Sequence, residues 1–363
     1  MFKQKRLVLW PVLIFGFLVC LFLSDKVRAS DPLKIGFVYV GPIGDHGWTY
    51  QHNQGRLAVE KEFGSKVKTT YVEKVPEGAD AQRVITKLAS SGHQLIFTTS
   101  FGYMNPTIKV AKKFPNVKFE HATGFKRAKN VSTYSARFYE GRYVAGHLAG
   151  KMTKSNVFGY VASFPIPEVI RGINAVTIAA RKVNPNVKVK VVWVNSWYDP
   201  GKEADATKTL IDQGADVIFQ HTDSPAPMQV AEKRGVWAIG QASNMAAFGP
   251  NAHMTAIVNN WAYYYIARTR AVMNGTWKSQ DTWDGIKPGM VIMAVNNIKV
   301  SKEAGDLAHS VKKGIMDGTI HPFKGPIKGQ DGKVIIKDGD VPDDGALAGM
   351  NYYVEGVVGS IPK

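Results

Sequence analysis

Cysteine is almost absent from this sequence. The single residue, Cys20, lies in an apolar stretch near the N-terminus. It follows Val19, where lipoprotein processing requires a very small residue, so a lipid anchor is disfavoured. If the N-terminal segment is removed, the mature chain has no disulfide, no thiol nucleophile and no zinc–thiolate site. Its stability then depends on the packed core alone.

The N-terminal segment itself has the pattern of a secretory signal peptide. A basic start is followed by an apolar stretch from Leu7 to Leu23 and a small-residue exit at Ala29. A single membrane-spanning helix is the alternative, but Pro11 and Gly16 interrupt a stretch that is barely long enough to cross a bilayer. We therefore expect residues 1–29 to be cleaved and the mature protein to be periplasmic.

Acidic residues are scarce, with 29 against 46 lysines and arginines, which gives a formal charge of +17. Loss of residues 1–29 removes five basic groups and one acid, leaving about +13. Such a charge is compatible with nucleic acid or an anionic membrane as a partner. The lysines, however, are scattered between apolar residues instead of being collected in one arm. They are better explained as solvated faces, and no nucleic-acid partner is expected.

Several catalytic motifs are also missing. The nine histidines form no H-E-x-x-H pattern, there is no G-x-S-x-G, and no aspartate cluster suits calcium. The stretch "GPIGDHGWTYQHNQGR", residues 41–56, reads G-x-x-G-x-x-G, which differs from the dinucleotide pattern G-x-G-x-x-G. We expect no cofactor, no metal and no enzymatic activity. A nucleoside-cleaving enzyme remains a weaker alternative.

What the sequence does contain is a regular alternation of strand-length apolar runs with helical segments, which predicts an α/β fold with parallel sheets. A helix leads into "LIF" at 95–97 and, in a similar pattern, into "VIF" at 217–219. About 330 mature residues also exceed what one compact domain usually organises. We expect two similar lobes, and a hairpin at 324–340 that turns at Asp331-Gly332.

Four motifs resemble one family. "DHGWTY" at 45–50 is similar to D-x-S-F-N-Q, and "FYEGRYVAG" at 138–146 is similar to E-G-x-Y-L-A-G. "NSWYDP" at 195–200 resembles G-S-F-x-D-P, and "QGADVIFQ" at 213–220 matches almost letter for letter. In this order the motifs resemble the basic membrane protein (BMP) class of ABC transporter substrate-binding proteins, which includes purine-nucleoside receptors.

The resemblance implies a type I periplasmic-binding-protein fold, in which two doubly wound, Rossmann-like lobes are joined by hinge strands. We place the hinge strands near 134–138, 254–258 and 285–295. Lobe 1 would comprise 30–137 with about 254–295, and lobe 2 would comprise 138–253 with part of 296–363. It also implies a small-molecule ligand and an ABC permease in the inner membrane as partner. We expect the binding protein to be a monomer.

Two departures from the family pattern bear on the ligand. Where nucleoside-binding relatives have G-V-D-x-D, this chain has "GQASN" at 240–244, and an expected lysine is replaced by Asn259. Both changes remove groups suited to ribose hydroxyls. We therefore predict a purine base or a related flat heterocycle, with adenine as the first choice and a purine nucleoside as the alternative.

The candidate ligand contacts combine aromatic plates with polar groups. Trp48 and Trp197 follow strands in opposite lobes and can sandwich a flat ring, although ordinary packing is the alternative. Asp45 and Asp223 could accept N–H groups, but each could instead cap a helix. Glu168 could contact the ligand or pair with a helix dipole. The full predicted set is Asp45, Trp48, Tyr103, Glu168, Trp197, Asp223 and Gln241.

Overall fold

Two sheets of mostly parallel strands organise the computed structural model, which describes residues 31–362. The predicted signal peptide, 1–29, lies outside the described residues. The first sheet contains β1 Leu33–Val38, β2 Val67–Val72, β3 Leu95–Thr98, β4 Lys118–Ala122, β5 Val131–Ala136 and β11 Asp281–Asp284. The second contains β6 Val157–Ala162, β7 Lys188–Trp193, β8 Val217–His221, β9 Trp237–Ala242, β10 His253–Asn259, β12 Val291–Met293 and β15 Val357–Val358.

Helices connect most of these strands and cover the sheets. They are α1 Trp48–Phe63, α2 Ala79–Ser90, α3 Met104–Lys113, α4 Phe138–Met152, α5 Pro167–Val183, α6 Pro200–Asp212, α7 Ala226–Arg234, α8 Ala262–Met273, α9 Lys302–Asp317 and α10 Asp344–Ala348. Because helices cover both faces, strands such as β3 and β8 are buried along their whole length. This explains their continuous apolar sequences. The predicted α/β fold with doubly wound sheets is confirmed.

Each sheet changes its winding direction at one point. The first has the order β2-β1-β3-β4-β5-β11, and the second has β15-β7-β6-β8-β9-β10-β12, in which only β12 is antiparallel. The change occurs between β1 and β3 in the first sheet and between β6 and β8 in the second. In open α/β sheets, ligands bind outside the carboxyl ends of the strands at such points. The loops after these four strands are therefore the expected location of a binding site.

The chain passes between the sheets three times, at 137, at 260–261 and at 285–290. These connections lie at or next to the expected hinge segments. The expected lobe boundaries differ at two strands: β10 and β12 belong to the second sheet, not to lobe 1. Strand β10 follows β9 after a short connection and pairs with it in parallel, so it extends the sheet already begun, and β12 pairs with β10. Only after Asn259 does the chain return, as α8, to pack on α1.

The C-terminal part joins the second lobe. Helix α9 packs on α4, and β15 pairs with β7 at the sheet edge. The hairpin predicted at 324–340 is present as β13 Ile327–Lys328 and β14 Val334–Ile336. Its turn contains Gly332 at φ +78°, a conformation that favours glycine. Among residues 31–362, no helix is long and apolar enough to span a membrane.

Candidate functional site

A cavity lies between the carboxyl edges of the two sheets, with about 330 Å³ of empty space when the part open to solvent is included. Its walls come from loops that follow strands in both lobes, including those at both winding changes. The lining residues are Val40, Trp48, Ser100, Phe101, Thr123, Glu168, Trp197, His221, Asp223 and Gln241. The structure thus brings five of the seven predicted site residues to one cavity.

The two lobes touch each other at this cleft. A Cβ atom on Gly47 would lie 2.2 Å from the backbone oxygen of Asp223, so the approach requires glycine. The Ser243 hydroxyl donates to the backbone oxygen of His46, and the His46 ring lies 4.7 Å from that of Phe248. These contacts join the loop after β1 to the second lobe. The cleft is therefore closed in this structure.

Trp48 forms the wall on the first lobe. It is the first residue of α1, and its indole N–H donates to the backbone oxygen of Thr99 at 2.7 Å. Its ring packs edge-on against His52 and Trp261, with centroids 4.4 and 5.5 Å away. Because these contacts fix the ring from one side, the indole is a rigid wall for a ligand.

Trp197 forms the wall on the second lobe. Its backbone oxygen accepts from the N–H of Asp223 at 2.9 Å, and its ring lies 5.1 Å from Phe164. Asp199 caps α6 two residues later by accepting from Lys202 N–H, which fixes the end of the loop. The Trp197 Nε1 is buried and has no partner among the described residues. It is an available donor beside the cavity.

Asp223 is a buried carboxyl group that forms no ion pair with any residue of 31–362. Its Oδ2 has no partner among the described residues. Burial raises the pKa of Asp223 well above its ordinary value, and the nearby Asp45, Glu203 and Glu168 raise it further. The side chain does not cap α7; the loop is held by Glu203, which accepts from both the backbone N–H and the hydroxyl of Ser224. This shift favours the protonated form, which offers an O–H donor next to a carbonyl acceptor.

A second polar group on the same wall was not predicted. The His221 Nε2 lies 3.3 Å from the Glu168 carboxylate, and its Nδ1 has no partner among the described residues. Burial lowers the pKa of His221, which favours the neutral imidazole. The sequence "QHTDSP" contained the signal, because His221 ends β8 two residues before Asp223.

Gln241 is another polar residue from the second lobe, besides Asp223 and His221, that lines the cavity. It lies near the end of β9 and is 2% exposed. Its amide oxygen accepts from Nη2 of Arg142, a fully buried residue of α4. Arg142 was also missed by the sequence analysis, although a charged residue among the small residues of "FYEGRYVAG" is an unusual feature.

The structure does not bring Asp45 and Tyr103 to the cavity wall, which corrects the sequence-based prediction. The Asp45 carboxylate accepts from the backbone N–H groups of Gly47, Thr49 and Tyr50 at 2.8–2.9 Å. It thus satisfies the start of α1, and burial raises its pKa to about 6 against these bonds. Tyr103 is fully buried and donates to the backbone oxygen of Val75 at 2.6 Å. Both side chains are structural.

Replacing Asp45 with alanine should therefore lower stability more than affinity. Three N–H groups at the start of α1 lose their acceptor, so we expect a loss of about 1–2 kcal/mol in the free energy of unfolding. Binding of ligand should stay within about threefold of wild type, or about 0.65 kcal/mol. Denaturation and calorimetry measure the two effects, and Asp45→Asn, which keeps one acceptor, is the control. A large affinity loss with unchanged stability would show that Asp45 contacts the ligand.

The residues 31–362 contain no group of three or more metal-ligating side chains that could hold an ion. The cavity lining combines two indoles, a buried acid, an imidazole–carboxylate pair and an amide. Such a set can bind a flat polar ring by stacking and in-plane hydrogen bonds.

Comparisons with known proteins show the family and the fold of this chain. A purine-binding protein of Brucella abortus (strain 2308) is 55% identical over 341 residues, which cover 94% of this chain and 97% of that protein. An ABC transporter binding protein of Haloferax volcanii, provisionally named for glucose, is 35% identical over 335 residues, covering 92% and 82%. The solved ABC transporter solute-binding protein of Aeropyrum pernix K1 has a TM-score of 0.70 and 19% identity, covering 82% of this chain and 93% of that one, and shares the fold.

The family model of the PnrA-like ABC transporter substrate-binding proteins, Bmp, matches residues 33–322. The resemblance drawn from the four motifs is confirmed. Substrate-binding proteins of ABC importers work outside the cytoplasm and deliver a small molecule to a permease. The chain belongs to the PnrA-like (Bmp) family of ABC transporter substrate-binding proteins.

Proposed function

We propose that this protein captures a free purine base, with adenine as the first choice, and delivers it to an ABC permease in the inner membrane. The observation that carries the proposal is that two indoles, Trp48 and Trp197, and the buried acid Asp223 line one cavity. The name of the Brucella abortus relative, a purine-binding protein, supports the same ligand class.

The chemistry of Asp223 suits the edge of a purine. A neutral carboxyl group has a donor and an acceptor side by side, and adenine has an amino N–H beside a ring nitrogen. The two edges are complementary, and the Trp197 N–H and the neutral His221 add further in-plane partners. Pairing these buried groups with ligand removes the cost of leaving them unsatisfied. Binding therefore favours the closed cleft, in which both lobes contact the ligand.

The proposal includes the cellular context. The mature protein would be a periplasmic monomer released by cleavage of the signal peptide, with no lipid anchor and no catalytic step. The permease would recognise the closed form of the two lobes. A purine nucleoside receptor is the alternative within the same family. The relative named for glucose makes a sugar the ligand class to be excluded by experiment.

Mass spectrometry of small molecules that co-purify with the protein is the direct test, followed by calorimetry with adenine, guanine, hypoxanthine, adenosine and glucose. We expect a purine base in the extract and the tightest binding for adenine. Glucose binding without purine binding would refute the proposal. Release of free base from adenosine during incubation would instead indicate an enzyme.

The free base should bind at least tenfold more tightly than its nucleoside, a difference of about 1.4 kcal/mol. The reason is that Ala242 and Asn244 of "GQASN", together with Asn259, stand where nucleoside-binding relatives are expected to have charged groups for the ribose. Calorimetry with adenine and adenosine measures the ratio. Equal affinities, or a preference for adenosine, would contradict the argument and favour the nucleoside alternative.

A further inference from the structure

Arg142 is a charged residue buried behind the cavity, where its charge is costly. It lies on α4 and is fully buried, and burial lowers its pKa. Its Nε and Nη1 have no hydrogen-bond partner among the described residues, and its guanidinium lies 5.6 Å from the centre of the Tyr160 ring. Buried ions of this kind are poor contributors to stability. A role in binding would explain the residue better.

Within residues 31–362, the Arg142 side chain donates a hydrogen bond to the side-chain oxygen of Gln241 and to no other group. Arginine has donors only, whereas a glutamine amide has an acceptor at one end and a donor at the other. The guanidinium can therefore hydrogen-bond to only one orientation of the amide, the one in which the amide oxygen faces Arg142. Because Gln241 lines the cavity, the end left for a ligand is the NH₂ group.

We infer that Arg142 is a positioning residue for ligand selectivity: it fixes the Gln241 amide so that the cavity presents a donor there and selects a ligand with an acceptor at the matching place. This inference rests on the proposed function. For a purine base the acceptor is a ring nitrogen. An analogue that replaces this nitrogen by C–H leaves the buried donor unpaired, and sites built around such a bond reject ligands that lack it.

Two other polar groups of the wall do not perform this selection. Asp223 can present either a donor or an acceptor, because a neutral acid has both. His221 presents an acceptor, because its Nε2 faces the Glu168 carboxylate and must carry the proton, which leaves Nδ1 without one. Neither group is a fixed donor. The amide held by Arg142 is a fixed donor, as is the Trp197 indole N–H, but only the amide could turn to present an acceptor if Arg142 were replaced.

The test uses full mature protein and four ligands: adenine and the three deaza-adenines that replace N1, N3 or N7 by C–H. For wild type we expect one of the three analogues to bind at least tenfold more weakly than adenine, or about 1.4 kcal/mol. Arg142→Met should reduce this discrimination to within threefold, because the freed amide can rotate. Arg142→Lys, which keeps a donor, should retain more of it.

Gln241→Leu provides the matched control. It should also remove the discrimination, and adding Arg142→Met to it should change the ratio no further, because Arg142 acts through Gln241. Thermal melting checks that each variant is folded, and Arg142→Met should melt at or above the wild-type temperature.

Two different failures are distinguishable. If wild type binds adenine but Arg142→Met and Arg142→Lys keep the full discrimination, or weaken all four ligands equally, Arg142 does not set selectivity. The same conclusion follows if wild type binds all three analogues as tightly as adenine. If wild type binds no purine base at all, the proposed function is wrong and the inference is refuted with it.

Discussion

Replacing Arg268 with methionine is expected to lower the free energy of unfolding by about 3–5 kcal/mol, because it leaves a buried carboxylate without its counter-charge. Arg268 lies on α8, and its Nε donates to Glu120 of β4 at 2.6 Å. Glu120 is fully buried and also accepts from Tyr264 and Trp277, each at 2.6 Å. Burial already raises the pKa of Glu120, with Arg268 opposing the shift.

The same helix offers a matched control. Arg270 pairs with Glu62, but both side chains are about half exposed, so Arg270→Met should cost no more than about 1 kcal/mol. Adding Glu120→Gln to Arg268→Met should recover part of the loss, because a neutral amide costs less to bury than an unpaired carboxylate. Urea unfolding of the four proteins measures these differences. Equal losses for the two arginine variants would show that the buried pair has no special role.

This ion pair also matters for the position of the site. Strand β4 carries Glu120 near its middle and ends at Ala122, and the next residue, Thr123, lines the cavity. Helix α8 returns from the second lobe and packs on α1, which carries Trp48 at its start. The pair thus fixes α8 to the strand that leads into one cavity wall. A chain without cysteine in its described part obtains this cross-link from charge and burial instead.

The sequence predicted the fold because its signals are local and repeated. Continuous apolar runs at strand length alternate with helices, and this pattern is imposed by sheets that are covered on both faces. The assignment of β10 depended on a longer-range choice. A buried strand can extend either sheet, and only its parallel pairing with β9 decides between them.

The sequence position of a site residue predicts whether its side chain faces the cavity in some cases and not in others. Trp48 and Trp197 follow strands whose carboxyl ends face the cleft, and the structure brings both to the cavity. Asp45 also follows β1, but its carboxylate accepts from three backbone N–H groups and does not line the cavity. At 101–103 the chain forms a single 3₁₀ turn, which puts Phe101 on the cavity and Tyr103 in the core. No spacing of residues in the sequence predicts these local turns.

The role of Arg142 could not be predicted from the sequence for a different reason. Its motif resembles the family pattern of small residues that pack helices closely, and nothing in a helical spacing distinguishes a buried arginine from a solvated one. Its importance appears only when its partner, Gln241, is seen to lie on the cavity wall 99 positions later in the chain. Polar contacts of this range depend on the assembled fold, not on local sequence.

The indole pair should account for the largest part of ligand affinity. Trp48→Ala and Trp197→Ala are each expected to weaken binding of a purine base by about 2–4 kcal/mol, the usual scale for truncating a central aromatic anchor. Each change removes one wall and lets water reach that face of the ligand. Phenylalanine at either position retains a ring and should lose much less. Calorimetry with adenine measures all four variants.

The two alanine losses should not be additive, because the second wall is useful only when closure brings both onto the ligand. The double variant should fall short of the sum by more than the roughly 0.5 kcal/mol expected for independent sites. Ligand should also change tryptophan fluorescence in wild type, and most of that signal should be absent from the double variant. Trp237, a partly buried residue outside the cavity lining, provides the control: Trp237→Ala should leave affinity unchanged. If either Trp48→Ala or Trp197→Ala binds adenine within about threefold of wild type, about 0.65 kcal/mol, that indole is not a wall of the site.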